Sequence, residues 1–155
     1  MLFLQNGEAF ATGVIGYEFR SVTPTYEHNQ RILLSVYIDD FPVLAAIDTG
    51  APYLIITPSL AARFGLEPSA ALEKAHITIR GIKFSGTLFR LDVRLDAQEG
   101  EGLIFQATAF APDLDQEDKW GNLPCFLGIE SCLDRIRFAI DPHPIEPRFY
   151  FGVLP

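Results

Sequence analysis

Among the groups in this 155-residue chain that could do chemistry, one carboxylate stands apart by its setting. Asp48 lies in Val43-Leu44-Ala45-Ala46-Ile47-Asp48-Thr49-Gly50-Ala51-Pro52-Tyr53-Leu54-Ile55-Ile56-Thr57, between two apolar runs and in a tight turn closed by Gly50. Asp and Gly are ordinary residues of hairpin turns, so a plain turn is one reading. A plain turn, however, needs neither apolar residues right up to the Asp nor a small residue after the Gly. Desolvating a carboxylate costs free energy unless it is hydrogen-bonded or paired, which points to a functional group. The other candidates carry less. His28, His76 and His143 lack metal-ligand spacing and read as surface or turn residues. Cys125 and Cys132 form neither a disulfide framework nor a zinc spacing, and Cys125 reads as a small buried hydrophobe. Ser59 and Ser131 read as helix-terminus residues, with no G-x-S-x-G around either. The acidic run 113–119 lacks the Gly of a calcium loop and has Pro124 where the bidentate Glu belongs, so it reads as a solvated loop. No metal and no cofactor are expected.

The elements that must position Asp48 are short strands. The chain has 13 Phe and 5 Tyr, with 11 Pro and 12 Gly spread along it, so that apolar runs are punctuated every few residues. Strands are expected at Val14 to Val22, Arg31 to Ile38, Val43 to Ile47, Tyr53 to Thr57, His76 to Arg80 and Lys83 to Leu95. Others are expected at Leu103 to Phe110, Arg137 to Ile140 and Arg148 to Phe151. Two short helices fit the remainder. Thr57 to Gly65 offers a cap, a Pro at the first helical position and a Gly stop, and Ile129 to Arg135 follows Gly128. No repeat or linker divides the chain, so residues 1–155 are expected to form one mainly-β domain. The formal net charge of −8 disfavours nucleic acid and anionic membranes as partners. No apolar run is long enough to span a bilayer, and no secretory signal is visible at the start, so a reducing cytoplasm is the expected location.

Ile47-Asp48-Thr49-Gly50-Ala51, followed by an apolar strand, resembles the active-site signature of the aspartic proteases. Phe126-Leu127-Gly128 resembles that family's second element, two apolar residues and a Gly, whose glycine lets the segment pack against the Asp loop. The pair, on a β-rich chain, is similar to the retropepsin-like branch and in particular to its bacterial-type members. The resemblance implies an all-β closed barrel of the acid-protease type with one or two short helices. It also implies an aspartic endopeptidase acting on extended peptides or proteins. Asp48 would be catalytic, with Thr49 supporting it through hydroxyl bonds across a dimer axis, Gly50 giving the backbone room and Ala51 lining the site. A hairpin flap would close over the substrate with its tip at Arg80-Gly81-Ile82 and Gly86 as a second flexible point, although either glycine could equally mark a bulge or an ordinary turn.

Pepsin-like chains carry two such loops, whereas this chain has one. Hydrolysis needs one protonated carboxyl to polarise the scissile carbonyl and one ionised carboxylate to activate water. The implied enzyme is therefore a homodimer with its site on the two-fold axis, the two carboxyls sharing a proton. Apolar contacts are expected from Leu2, Phe3, Leu4 and Phe149 to Phe151, unless those ends are core strands. The sequence departs from the viral pattern where Pro52 replaces an Asp and Ile129-Glu130 replace a basic and a polar residue. Both partners of the viral supporting ion pair are thus absent. Two other readings remain: a catalytically idle retropepsin-like dimer that binds peptides or a protein partner, and a β-sandwich binding domain with an accidental D-T-G. The net charge predicts that cationic or neutral peptides are met more readily than acidic ones.

Overall fold

Val, Ile, Leu and Phe dominate the segments that become strands, as a pleated, largely buried surface favours. The computed structural model describes residues 1–22 and 29–155, so His28 lies outside the described residues. In chain order the first strands are β1 (Leu2–Phe3), β2 (Ala9–Ala11), β3 (Gly13–Gly16), β4 (Glu18–Arg20), β5 (Arg31–Ile38), β6 (Phe41–Ile47) and β7 (Leu54–Ile55). Helix α1 (Pro58–Phe64) leads to β8 (Glu73–Ile79), β9 (Ile82–Leu95), β10 (Glu99–Gly100) and β11 (Leu103–Pro112). Helix α2 (Glu117–Trp120) precedes β12 (Cys125–Leu127), β13 (Ile136–Asp141) and β14 (Arg148–Val153).

Eight strands make one sheet in the order β4-β5-β6-β12-β7-β11-β9-β8. Six of these strands, β5-β6-β12-β7-β11-β9, form a closed circuit of pairings. A short pairing of β5 with β9, Tyr37 opposite Arg94 and Ile38 opposite Val93, bends the sheet back on itself, while β4 and β8 remain outer strands. Both faces of the sheet are buried, because consecutive residues of one strand enter different apolar clusters. Leu34, Leu54, Leu127 and Ala109 pack with Val93, Phe149 and Leu60 of α1. Their neighbours Leu33, Ile55, Phe126 and Phe110 pack with Phe84, Ile77 and Trp120 on the other side. A second, four-stranded sheet runs β10-β3-β14-β13.

Residues 14–22 do not form one strand; the run breaks at Tyr17 so that β3 joins the small sheet and β4 the large one. Phe149 and Phe151 are fully buried in β14, which is paired on both sides by β3 and β13, so this strand is core and offers no edge to a second copy. At the other end, Phe3 and Leu4 are exposed. Helix α1 forms as its local signals demand: the Thr57 hydroxyl accepts from Leu60 N–H at 3.1 Å, and Gly65 ends the helix in the left-handed conformation at φ 56°. The helix expected over Ile129 to Arg135 does not form. Ser131 takes φ 54° and gives its carbonyl to Thr108 N–H of β11 at 2.8 Å, and only the 3₁₀ turn Leu133–Arg135 follows. A bond to another strand thus replaces the one the helix would have needed.

Candidate active site

The β5–β6 hairpin turns on Asp39 and Asp40, both at positive φ, which is the two-residue turn whose twist suits paired strands. Its register pairs Leu33 with Ala46, and continuing it brings Arg31 level with Asp48 at the end of β6. Strand β12 then inserts beside β6, parallel to it with Leu127 opposite Ile47, and antiparallel to β7 with Leu127 opposite Leu54. The loop carrying Asp48 is consequently anchored at both ends. Asp48 N–H donates to the Leu127 carbonyl at 3.0 Å, the Ile129 N–H donates to the Ala51 carbonyl at 2.9 Å, and the Gly128 N–H donates to that of Tyr53 at 3.0 Å. Gly128 permits this approach, because a Cβ there would overlap the Tyr53 carbonyl and stand 2.7 Å from that of Ala51. Phe126, Leu127 and Gly128 therefore pack directly on the Asp48 loop.

Within the loop, the Asp48 carbonyl accepts from Ala51 N–H at 3.0 Å, and its Oδ1 accepts from Gly50 N–H at 3.0 Å. A Cβ on Gly50 would stand 3.3 Å from that same oxygen. Oδ2 is directed elsewhere, 3.9 Å from Nη1 of Arg31, whose guanidinium also lies over the Phe126 ring. The Asp48 side chain keeps 36% of its surface accessible. The Asp48 carboxylate, held from one side by its own backbone, thus opens on the other to a cleft of ≈ 240 Å³. Thr49 is exposed beside it and makes no hydrogen bond among the described residues.

The opposite wall of the cleft is the β8–β9 hairpin. Ile79 pairs with Ile82 across a two-residue turn in which Arg80 and Gly81 have φ of 51° and 80°. Ile77, Thr78, Ile79 and Arg80 face the cleft, along with Gly50, Ala51 and Phe126 from the Asp48 side. Gly81 stands at the exposed tip, and Ile82 lines a neighbouring groove on the far side of the hairpin. Gly86 is not a flexible point. It is buried inside β9 between β8 and β11, where a Cβ would overlap the Ala111 carbonyl and stand 2.6 Å from the Phe110 ring, so close packing accounts for this glycine.

Arg31 escaped the sequence reading, although the signal existed. A hairpin predicted at Asp39-Asp40 would by itself have carried Arg31 across from Asp48. Trp120 escaped as well, since α2 grows out of the run read as a solvated loop. That run is anchored instead. Buried Gln116 accepts from Ser85 N–H at 3.0 Å and bonds the Ser85 hydroxyl, which in turn donates to Asp113 at 2.8 Å. Among the described residues no group of three His, Cys, Asp or Glu could hold a metal ion. His76 is exposed on β8, and His143 accepts N–H bonds from Ile145 and Glu146 in a turn. Burial pushes the Cys125 thiol up to about 11 and that of Cys132 to about 12, so neither supplies a thiolate nucleophile near neutral pH. Among the described residues no helix is long and apolar enough to cross a membrane.

Residues 34–99, which include Asp48 but not the Phe126-Leu127-Gly128 segment, match the sequence model of the aspartyl protease family. No curated protein matches the chain. Among solved structures, it is similar to a retropepsin-like aspartic protease from Rickettsia conorii, with a TM-score of 0.54 and 17% identity over 93% of this chain and 94% of that one. It is also similar to the EIAV protease in complex with the inhibitor HBY-793, with a TM-score of 0.35 and 21% identity over 66% of this chain and 86% of that one.

Proposed function

We propose that this chain, retropepsin-like in fold and aspartyl-protease-like in sequence over residues 34–99, is an aspartic endopeptidase that works as a homodimer. The observation that carries the reading is the placement of Asp48. Its carboxylate is fixed by its own loop, opens to a cleft beneath a hairpin, and is the only carboxylate lining that cleft among the described residues. A single carboxyl cannot both polarise a carbonyl and take a proton from water, so the chemistry calls for a second copy. In the dimer, the ionised Asp48 removes a proton from water as the water oxygen attacks the scissile carbon. The protonated Asp48 of the partner subunit donates to the carbonyl oxygen. The tetrahedral adduct collapses by breaking the C–N bond, with a proton passing to the departing amine and the dyad returning to its shared-proton state. Exposed, unengaged Thr49 is available to bond across the axis, as the resemblance implies.

The decisive variant is Asp48→Asn, which keeps the accepting oxygen for Gly50 N–H but removes the base. Peptide hydrolysis by the purified protein should fall by at least about a thousandfold while light scattering still shows a dimer. Undiminished cleavage overturns the assignment of Asp48, and a wild-type protein that stays monomeric at high concentration overturns the dimer. Peptide binding by a wild-type dimer that cleaves nothing would favour an idle binding module. Because the dyad works while it shares one proton, activity should follow a bell-shaped pH profile skewed to acid, and a statine-like hydroxyl that mimics the tetrahedral adduct should inhibit it.

A further inference from the structure

The β8–β9 hairpin stands between two recesses, the Asp48 cleft and the groove on its far side, and Ile79 and Arg80 line both. Its outer part has little backbone support. Strand β11 pairs with β9 only as far as Pro112 opposite Gly86, and from Ser85 to the turn β9 is paired with β8 alone among the described residues. A two-stranded ribbon is at best marginally stable in water, so other contacts must hold this wall over the cleft. They come from the acidic run 113–119 and from Trp120 after it. Where β11 stops, Asp113 N–H donates to the Ser85 carbonyl at 3.0 Å, and Ser85 N–H donates to Gln116 Oε1 at 3.0 Å. Gln116 Nε2 donates to the Ser85 hydroxyl, which donates in turn to Asp113 at 2.8 Å. One residue nearer the turn, the Phe84 ring meets that of Trp120 edge-on, with centroids 5.1 Å apart. Phe84 stands opposite Ile77, which lines the cleft. Gln116 is 7% exposed, and it and Thr108 are the only buried polar side chains among the described residues. Burying an amide costs free energy unless its hydrogen bonds are made, and both ends of this one are used on a single residue of β9.

We infer that Gln116 is a positioning residue for the cleft, clamping β9 at Ser85 and, through Phe84 and Ile77, holding the hairpin wall in place beside Asp48. The inference rests on the peptidase reading. A wall already in place when a peptide arrives spares binding the cost of ordering it. A leucine at position 116 fills much the same space but leaves the Ser85 N–H without its acceptor, so ordering of the wall would then oppose binding. The Asp48 loop is held separately, by β12 and by its own backbone, so the turnover of bound peptide does not depend on the clamp.

The test uses the full-length protein and a peptide spanning a cleavage site mapped in a digest of a denatured protein. Gln116→Leu should raise KM about fivefold, the size of one ordinary hydrogen bond, with kcat within about twofold of wild type. Mere loss of folded protein would do the reverse, lowering apparent kcat and leaving KM alone. Gln116→Glu, assayed at acid pH, keeps an oxygen for the Ser85 N–H and should bring KM back to within about twofold of wild type. An unchanged KM in Gln116→Leu, or one that Gln116→Glu fails to lower, overturns the inference. If the wild type cleaves nothing, the peptidase reading fails separately, and hydrogen exchange still tests the clamp. In Gln116→Leu the Phe84 and Ser85 amides should exchange about fivefold faster or more, while Leu91 and Val93 further along β9 keep their wild-type rates. Unchanged rates at Phe84 and Ser85, or acceleration along the whole strand, overturn it. Should Gln116→Leu not fold, Ser85→Ala removes the hydroxyl contacts alone; it should move KM and the Phe84 amide in the same direction, and no movement in either overturns the inference.

Discussion

Asp48 is held with two kinds of contact that do different work. Gly50 N–H fixes Oδ1 within the loop, while Oδ2 is left facing the cleft with Arg31 at 3.9 Å. A separation of that length between partly exposed groups is a weak ion pair, so it orients the carboxylate more than it stabilises the fold. Gly128 matters more for stability, because three backbone groups of Ala51 and Tyr53 fill the space a side chain would take. Gly128→Ala should therefore displace β12 from the loop, destabilising the protein by about 2 kcal/mol or more, and should reduce peptide cleavage beyond what the loss of folded protein explains. Urea unfolding of wild type and variant, with activity normalised to the folded fraction, measures both. Equal unfolding midpoints would show that the segment yields easily and that the glycine is not required by this contact.

At the scale of elements, the hairpin over the cleft is set by its turn. Arg80 and Gly81 both adopt positive φ, and among L-residues this conformation costs about 1 kcal/mol or more, most of all for a β-branched side chain. Gly81→Val should lower stability by about 1–2 kcal/mol and loosen the β8–β9 hairpin. Arg80→Asn should be tolerated by the turn, since Asn accepts that conformation readily, although it removes a cation from the rim of both recesses. Hydrogen exchange of the Thr78, Ile79 and Lys83 amides would report the loosening. Unchanged exchange in Gly81→Val would mean that side-chain packing along β8 and β9, rather than the turn, holds the hairpin. Helix α1 is built from local chemistry of the same kind, in which a Thr cap, a Pro start and a left-handed Gly each act within one turn.

For the molecule as a whole, the two buried thiols make stability depend on pH at the alkaline side. Burial raises Cys125 to about 11 and Cys132 to about 12 against an ordinary value of 9.0. Between those limits the unfolded chain has lost the thiol proton and the folded chain has kept it, so the unfolded state binds fewer protons and stability falls as pH rises. The contribution is fully present below about pH 9 and declines above it, by up to about 1.4 kcal/mol per pH unit for each thiol. Cys132→Ala should have a constant penalty from lost packing and a shallower loss of stability from pH 8.5 upward. Chemical unfolding at several pH values checks the slope, and parallel curves for wild type and variant would show that the thiol does not titrate on unfolding.

Much about this protein is legible in the chain itself, where a few neighbouring residues settle the outcome. The turn at Asp48 is bracketed by apolar runs, the limits of α1 are signalled by Thr57, Pro58 and Gly65, and β5 starts and ends where its residue types change. Those features depend on interactions within a turn or on the alternation of one strand, so their information is local. The tertiary structure decided what lies next to what. Insertion of β12 between β6 and β7 set Leu127 and Gly128 against the Asp48 loop and gave Gly128 its role. A bond from Thr108 to Ser131 turned an expected helix into a bend, pairing on both sides made β14 a core strand, and contact with Phe110 made Gly86 a packing residue. Each of these joins segments far apart in sequence, and no local pattern specifies which strand edge or which carbonyl will be the neighbour. Burial of both faces of the large sheet selects that arrangement only when every strand is in place.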